Sequence, residues 1–183
     1  MSTRKQHALI HRGDFNAESR KHPVLRWTEE LIEWFDQPDH SNAGDFFDDD
    51  YSVKTPDGEY WDDGLDGYQQ ALVKFYHDPF PTYKHFPFTI ITTELEGGKG
   101  HDFFGHFDLY VNLKGTPAKG EKKVSDHHGK EWDALVPIFY HSELIHVPGA
   151  PHDGMKLGHV KIFKDTGVVN ALLQARGEKG ITA

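Results

Sequence analysis

Histidines and carboxylates spaced two residues apart in otherwise apolar, strand-like stretches are the parts of this sequence best suited to moving protons. In residues 101–113 (HDFFGHFDLYVNL), His106 and Asp108 share one face of an extended chain. In residues 131–147 (EWDALVPIFYHSELIHV), His141 and Glu143 do the same. A histidine titrates near neutrality and can take and return a proton within one cycle. An ionisable pair on an apolar sheet is costly unless it is hydrogen-bonded, neutral or useful. The pattern predicts a sheet curled around a pocket rather than a fully packed core.

Each strand has a competing face. Phe103, Phe107 and Leu109 make the other side of the first strand more apolar. If the His106 face lines the pocket, Asp108 orients His106 or acts as general base. If it points outward, the two are a solvated pair. On the second strand the competing face is Ile138, Tyr140, Ser142, Leu144 and His146, and neither face is clean. That strand is expected to be buried on both sides or to sit at an oligomer interface, and the interface is the preferred role for His141 and Glu143.

These strands need elements to position them. Residues 24–36 (VLRWTEELIEWFD) read as an amphipathic helix, with Val24, Trp27, Leu31, Trp34 and Phe35 near one stripe, Pro23 in its first turn and Pro38 stopping it. Residues 43–50 (AGDFFDDD) suggest one helical turn, residues 51–55 a short strand, and Pro56-Asp57-Gly58 a turn. Residues 65–77 (LDGYQQALVKFYH) read as a second helix, with Leu65, Tyr68, Leu72 and Phe75 or Tyr76 on one side. Residues 84–96 form a strand closed by Gly97-Gly98, pairing with 101–113 across a short hairpin. Residues 114–130 are polar with Gly and Pro, which predicts a long exposed loop or lid. A turn at 147–154, a strand at 155–164 and a strand or short helix at 168–175 complete the chain. Helices precede a run of long antiparallel strands, so the expected fold class is α+β, a curved mostly antiparallel sheet forming a cone closed by N-terminal helices.

Composition narrows the function. The chain has 183 residues, enough for a sizeable core, and a net charge of −9 that argues against a nucleic-acid partner. There is no cysteine, hence no disulfide framework, thiol nucleophile or cysteine metal site, which fits a cytoplasmic location. No apolar run reaches membrane-span length, and residues 1–22 lack a signal-peptide core; they are expected to form an extended or poorly ordered arm, with 23–176 a single domain and 177–183 a tail. The sequence has 13 Phe, 7 Tyr and 4 Trp, which suits either a core or an apolar ligand pocket. No Gly-x-Ser-x-Gly elbow and no phosphate-cradling loop is present.

The element order over residues 24–175 resembles the nuclear-transport-factor-2-like superfamily, the fold of ketosteroid isomerases, SnoaL-like polyketide cyclases and scytalone dehydratases. The stretches that carry the likeness are FFDDDYSVKTPDG and LDGYQQALVKFY followed by YKHFPFTI. The chemical likeness is to scytalone dehydratase, whose conical pocket uses two strand histidines and a helix-end aspartate. The resemblance places His85 of Lys84-His85-Phe86 and His106 of Gly105-His106 at the histidine positions. Phe35-Asp36 stands where that family has a Tyr-Asp pair, and Thr55 falls where a second pocket tyrosine would be. The resemblance thus implies catalytic roles for His85, His106 and Asp36, with Asp108 as a partner or base, and disfavours strict dehydratase activity because the family tyrosines are missing.

Beside that reading stands the plainer one, in which each histidine is buried, neutral and bonded to backbone, and Asp36 is a solvated helix-end residue. Phe35, Tyr51, Trp61, Tyr68, Tyr83 and Phe88 are the candidate substrate-binding residues, although large aromatics are usually core. The expected partner is a small apolar or aromatic metabolite, with no cofactor, and two copies are expected to pair through the sheet. Two alternatives are a non-catalytic scaffold on the same fold and a metal-dependent oxygenase. The latter faintly resembles a cupin and needs His141, Glu143 and His152 to converge.

Overall fold

The computed structural model describes residues 7–55 and 58–181. Pro56 and Asp57 of the expected turn lie outside the described residues; at its edge the Gly58 amide donates to the Thr55 carbonyl at 3.0 Å. Helix α1 (Pro23–Phe35) begins on a proline, whose missing N–H costs nothing in the first turn. It buries Val24, Trp27, Thr28, Ile32 and Trp34, close to the expected stripe. The indole N–H of Trp27 donates to the Met155 carbonyl at 3.0 Å, which ties the helix to the sheet.

A seven-stranded sheet wraps the helices. Its strands are β1 (Ala8–Arg12), β2 (Phe47–Lys54), β3 (Tyr60–Trp61), β4 (Thr82–Glu94), β5 (Gly100–Asn112), β8 (Ala134–His146) and β9 (Met155–Lys164). They run in the spatial order β1-β4-β5-β8-β9-β2-β3, antiparallel except for the β2–β9 pair. Strands β6 (Val124–Ser125) and β7 (Glu131–Trp132) form a separate hairpin. The remaining helices are α2 (Gly64–Leu72), the single turn α3 (Pro151–Gly154) and α4 (Gly167–Ala175). The arrangement is the α+β cone expected from element order.

Several expectations change in the structure. Residues 8–12, expected to belong to a loose arm, add β1 to the sheet beside β4, in register from Ala8 with Thr93 to Arg12 with Thr89. The acidic stretch after α1 is one tight turn at Ala43–Asp45, and β2 begins already at Phe47. The second helix is α-helical only to Leu72; Val73–His77 widens to a π-helical turn, closed by the Asp78 amide on the Val73 carbonyl at 2.9 Å. Residues 168–175 lie in α4, a helix.

The 114–130 segment is pinned rather than free. Buried Arg176 pairs with Glu121 and, at 3.0 Å, with Asp133, and Lys123 also pairs with Asp133. Asp126 accepts the Trp132 indole N–H at 2.9 Å, so the β6–β7 hairpin covers a small second core of Phe86, Tyr110 and Trp132. The main core lies between the helices and the inner face of the sheet, led by Trp27, Trp34, Phe47, Phe75, Phe103, Phe107 and Val160.

Candidate active site

The inner face of the sheet and α1 enclose a cavity lined by sixteen residues, among them Leu31, Phe35, Tyr51, Tyr76, His85, Phe103, Phe107, Tyr140 and Ser142. Its void is about 60 Å³, below the about 150 Å³ of an apolar cavity that accepts benzene. Gly105 lies between Phe103 and Phe107 on β5, two residues from each. A Cβ there would lie 2.3 Å from Phe107 Cε2 and 2.9 Å from Phe103 Cε1, so only glycine lets both rings flank that point.

His85 enters this cavity from β4 and meets Asp36, the residue that caps the end of α1. Nδ1 of His85 lies 2.8 Å from Asp36 Oδ1, and both side chains are 3 % exposed. The His85 backbone N–H also donates to Asp36 Oδ1 at 3.2 Å, and Lys84 Nζ sits 2.8 Å from Oδ2. These donors suit an ionised carboxylate, which can only accept. It therefore holds a proton on Nδ1 and leaves the Nε2 lone pair of His85 facing the Tyr76 hydroxyl on the cavity side. Lys84 balances the charge of Asp36, so the Lys84–Asp36–His85 group is electrically neutral while His85 is neutral.

Two tyrosines stand beside that lone pair. The Tyr76 hydroxyl is 3.5 Å from His85 Nε2 and is hydrogen-bonded to the Tyr140 hydroxyl. Burial pushes both phenols' pKa values up, well above the ordinary tyrosine range, so they remain O–H donors. Tyr51, also in the lining, is raised by burial in the same way. Among the described residues, no lysine, arginine, aspartate or glutamate lines the cavity.

The structure separates the candidates drawn from sequence. His85, Phe35 and Tyr51 line the cavity, and Asp36 is bonded to His85 behind it. His106 and Asp108 do not: they lie on the outer face of β5, because strand alternation turns Phe103 and Phe107 inward. His106 stacks on Phe139 at 4.2 Å and lies tilted against Phe88 at 4.7 Å, and its Nε2 is 4.0 Å from Asp108 Oδ1. Phe88 is likewise outside, displaced by a bulge in β4 between Pro87 and Thr89, and is 55 % exposed. Trp61 packs against Phe75 away from the cavity, and Tyr68 lies in the core against Phe47 at 4.1 Å. Tyr83 flanks the dyad without lining the void; its hydroxyl donates to the Phe35 carbonyl at 3.0 Å.

His141 and Glu143 are also on the outer face. His141 Nε2 meets Asp102 Oδ1 at 2.8 Å, and its ring stacks on Phe104 at 4.2 Å. His152 instead bonds Glu30 of α1 at 2.6 Å and stacks on Phe46. The three ligands the oxygenase alternative requires therefore point to different places, and among the described residues no cluster of three such groups could hold a metal.

Sequence reasoning missed Tyr76 and Tyr140 as site residues. Tyr140 shares its strand face with Ile138 and Ser142, a signal open to a reader who favoured that face. Tyr76 had the apolar side of the second helix as its signal, shared with Phe75, and both are buried in the π-helical turn.

No family model matches the chain, and no curated protein matches it. Solved structures do match. The crystal structure of hexachlorocyclohexane dehydrochlorinase LinA-type3 from Novosphingobium barchaimii LL02 superposes with a TM-score of 0.57 at 11% identity, over 82% of this chain and 91% of that one. ActVI-ORFA from Streptomyces coelicolor gives 0.57 at 12% identity, over 78% and 95%. The CaMKII hub of S. rosetta gives 0.55 at 12% identity, over 78% and 95%. The chain has the nuclear-transport-factor-2-like fold. At these identities the likeness carries the fold alone.

Proposed function

We propose that the protein is a small cofactor-independent enzyme whose His85–Asp36 dyad performs acid/base chemistry in the apolar cavity, cyclising, isomerising or dehydrating a polyketide-like or other small cyclic metabolite. The observation that carries this reading is the buried 2.8 Å contact between His85 Nδ1 and Asp36, with Nε2 on the cavity side. In the reaction Nε2 removes a proton from a carbon next to an electron-withdrawing group. Asp36 stabilises the imidazolium that forms, and the imidazolium then returns the proton to another carbon or to a leaving hydroxyl. Elimination by a LinA-type dehydrochlorinase and isomerisation both need such a base.

The test is hydrogen exchange in D2O, followed by NMR, on a panel of small cyclic ketones, phenols and chlorinated cyclohexanes. His85→Gln is expected to lower exchange at least about 10²-fold on every compound the wild type acts on. Equal activity in His85→Gln and wild type would refute the base. The small void is the one observation that favours a non-catalytic scaffold on the same fold, and absence of any binding or exchange across the panel would support it.

The same proposal places the protein in the cytoplasm and assigns the bare outer face to a second copy. Phe88, Phe104, Phe139 and Phe163 are exposed there, and large exposed apolar patches mark interaction surfaces. Sedimentation of wild type against Phe104→Glu checks it: a dimer that becomes a monomer supports the pairing, and a monomeric wild type rejects it.

A further inference from the structure

A buried base must be unprotonated when its substrate arrives. We infer that Lys84 is a positioning residue that keeps His85 in its free-base form, cancelling the charge of Asp36 from the solvent side. This rests on His85 as the base and names what sets the pH range over which that base works.

Lys84 reaches Asp36 through a gap in the sheet. Strand β1 covers one edge of β4 only from Thr89 to Thr93. Among the described residues no strand covers the rest of that edge, and there the His85 backbone N–H donates to Asp36 at 3.2 Å. Lys84 precedes His85 and so starts on the opposite face of the strand. At an open edge its four-carbon stem can turn around the strand, and its ammonium meets Asp36 Oδ2 at 2.8 Å. Among the described residues it is the only lysine or arginine bonded to Asp36.

Exposure divides the group. The Asp36 and His85 side chains are each 3 % exposed, whereas that of Lys84 is 42 % exposed. An ion pair with one partner so open to water adds little to stability. Its charge has a larger consequence. A buried carboxylate beside a neutral imidazole leaves one uncompensated negative charge in a low dielectric, and that charge draws a second proton onto the ring. An imidazolium cannot act as a base. With Lys84 in place the charges sum to zero and the Nε2 lone pair stays available. The other titratable groups against the His85 ring are Tyr76 from the π-helical turn at 5.5 Å and Tyr83 from its own strand at 5.8 Å, with Tyr140 behind Tyr76. Burial holds all three phenols above the ordinary tyrosine range, so they add no charge. The facing residue of β5 is Leu109. When Nε2 takes a proton from the substrate, the group gains one positive charge as the substrate gains one negative charge, so the two together remain neutral through the step.

The experiment uses the full chain, and its first arm needs no substrate. Ring ¹⁵N NMR at pH 7 compares wild type, Lys84→Met and Lys84→Arg. Wild type and Lys84→Arg should show His85 as the neutral Nδ1–H form, and Lys84→Met should show it as the imidazolium, with both ring nitrogens protonated. On any panel compound that wild type turns over, Lys84→Met should lose about 10–10²-fold at pH 7 and regain most of it by pH 9, whereas a merely structural loss would persist. Lys84→Arg should keep the wild-type profile. Circular dichroism checks that the variants fold. A measurement on wild type alone covers the case where they do not: coupling across the hydrogen bond between the Lys84 ammonium nitrogen and the Asp36 carboxyl carbon is expected, and its absence would overturn the inference. A neutral His85 in Lys84→Met, or a loss that pH 9 does not restore, would also overturn it, while leaving the base reading intact. An imidazolium in wild type at pH 7 would overturn both. If wild type turns over no panel compound, the ring ¹⁵N comparison decides by itself.

Discussion

The two faces of the same sheet carry the same chemical pair in different surroundings. On the inner face His85 and Asp36 are 2.8 Å apart and 3 % exposed. On the outer face His141 and Asp102 are also 2.8 Å apart, but 32 % and 30 % exposed. Pair geometry does not distinguish them. What differs is exposure: the inner pair opens onto a small apolar void with phenol hydroxyls, the outer pair onto an open aromatic groove with Lys161 in its lining. A low dielectric strengthens every interaction the inner pair makes with developing charge, while solvent screens the outer one. The proposed reactivity therefore rests on burial and on the neighbouring hydroxyls rather than on a His–Asp contact as such.

The largest expected effect separates the pairs by substitution. His85→Gln should lower turnover by about 10²–10⁴-fold, while His141→Gln leaves it within about twofold. Equal losses in the two would break the contrast. Asp36→Asn comes next, at about 10²-fold, because an amide can offer its N–H to Nδ1 and move the imidazole proton to Nε2, and Asp102→Asn should be silent. Steady-state rates on any active panel compound check both.

Gly105 sharpens the contrast through packing. Gly105→Ala should destabilise the fold by about 1–3 kcal/mol, read by urea denaturation, since its methyl group meets the Phe103 and Phe107 rings. Phe104→Ser, one residue away but pointing outward, should leave monomer stability nearly unchanged.

The smallest effect is in pH. Burial lowers the pKa of His22, and burial followed by the nearby His22 charge lowers that of His101. Their rings face each other edge-on at 6.3 Å. The folded state thus binds protons less readily than the unfolded chain at these two sites. Their contribution to stability is present above the ordinary histidine value of 6.5 and is lost as pH falls through the lowered folded values. Urea midpoints at pH 7.5 and 5.5 should draw closer together in His101→Asn, and an unchanged gap would reject this role.

Much of the fold could be read in the sequence because period and punctuation agreed. Pro23 and the apolar stripe located α1, and the aromatic runs located β4, β5 and β8. Strand β1 was hidden because residues 8–12 depend on pairing with β4, about eighty residues away, rather than on any local signal. The site was half legible. His85 and Asp36 were reached through resemblance, and their contact joins a strand to a helix end, which no spacing rule encodes. His106 was misplaced because strand parity gives two sets of faces but not which one is inside. The greater apolarity of Phe103, Phe107 and Leu109 was the correct guide, and the bulge at Pro87 shows how one extra residue reassigns a face. Tyr76 was placed on the buried side of its helix together with Phe75, and helix period does not tell a core ring from one that lines a cavity.

The most direct test of the central claim is a ¹H–¹⁵N NMR spectrum of the histidine rings, recorded with and without cyclohexanone. The account predicts His85 as the Nδ1–H tautomer, with its Nε2 resonance moving on ligand addition while His106 and His141 stay fixed. Movement of His106 or His141 with His85 unchanged would contradict it and transfer the site to the outer face.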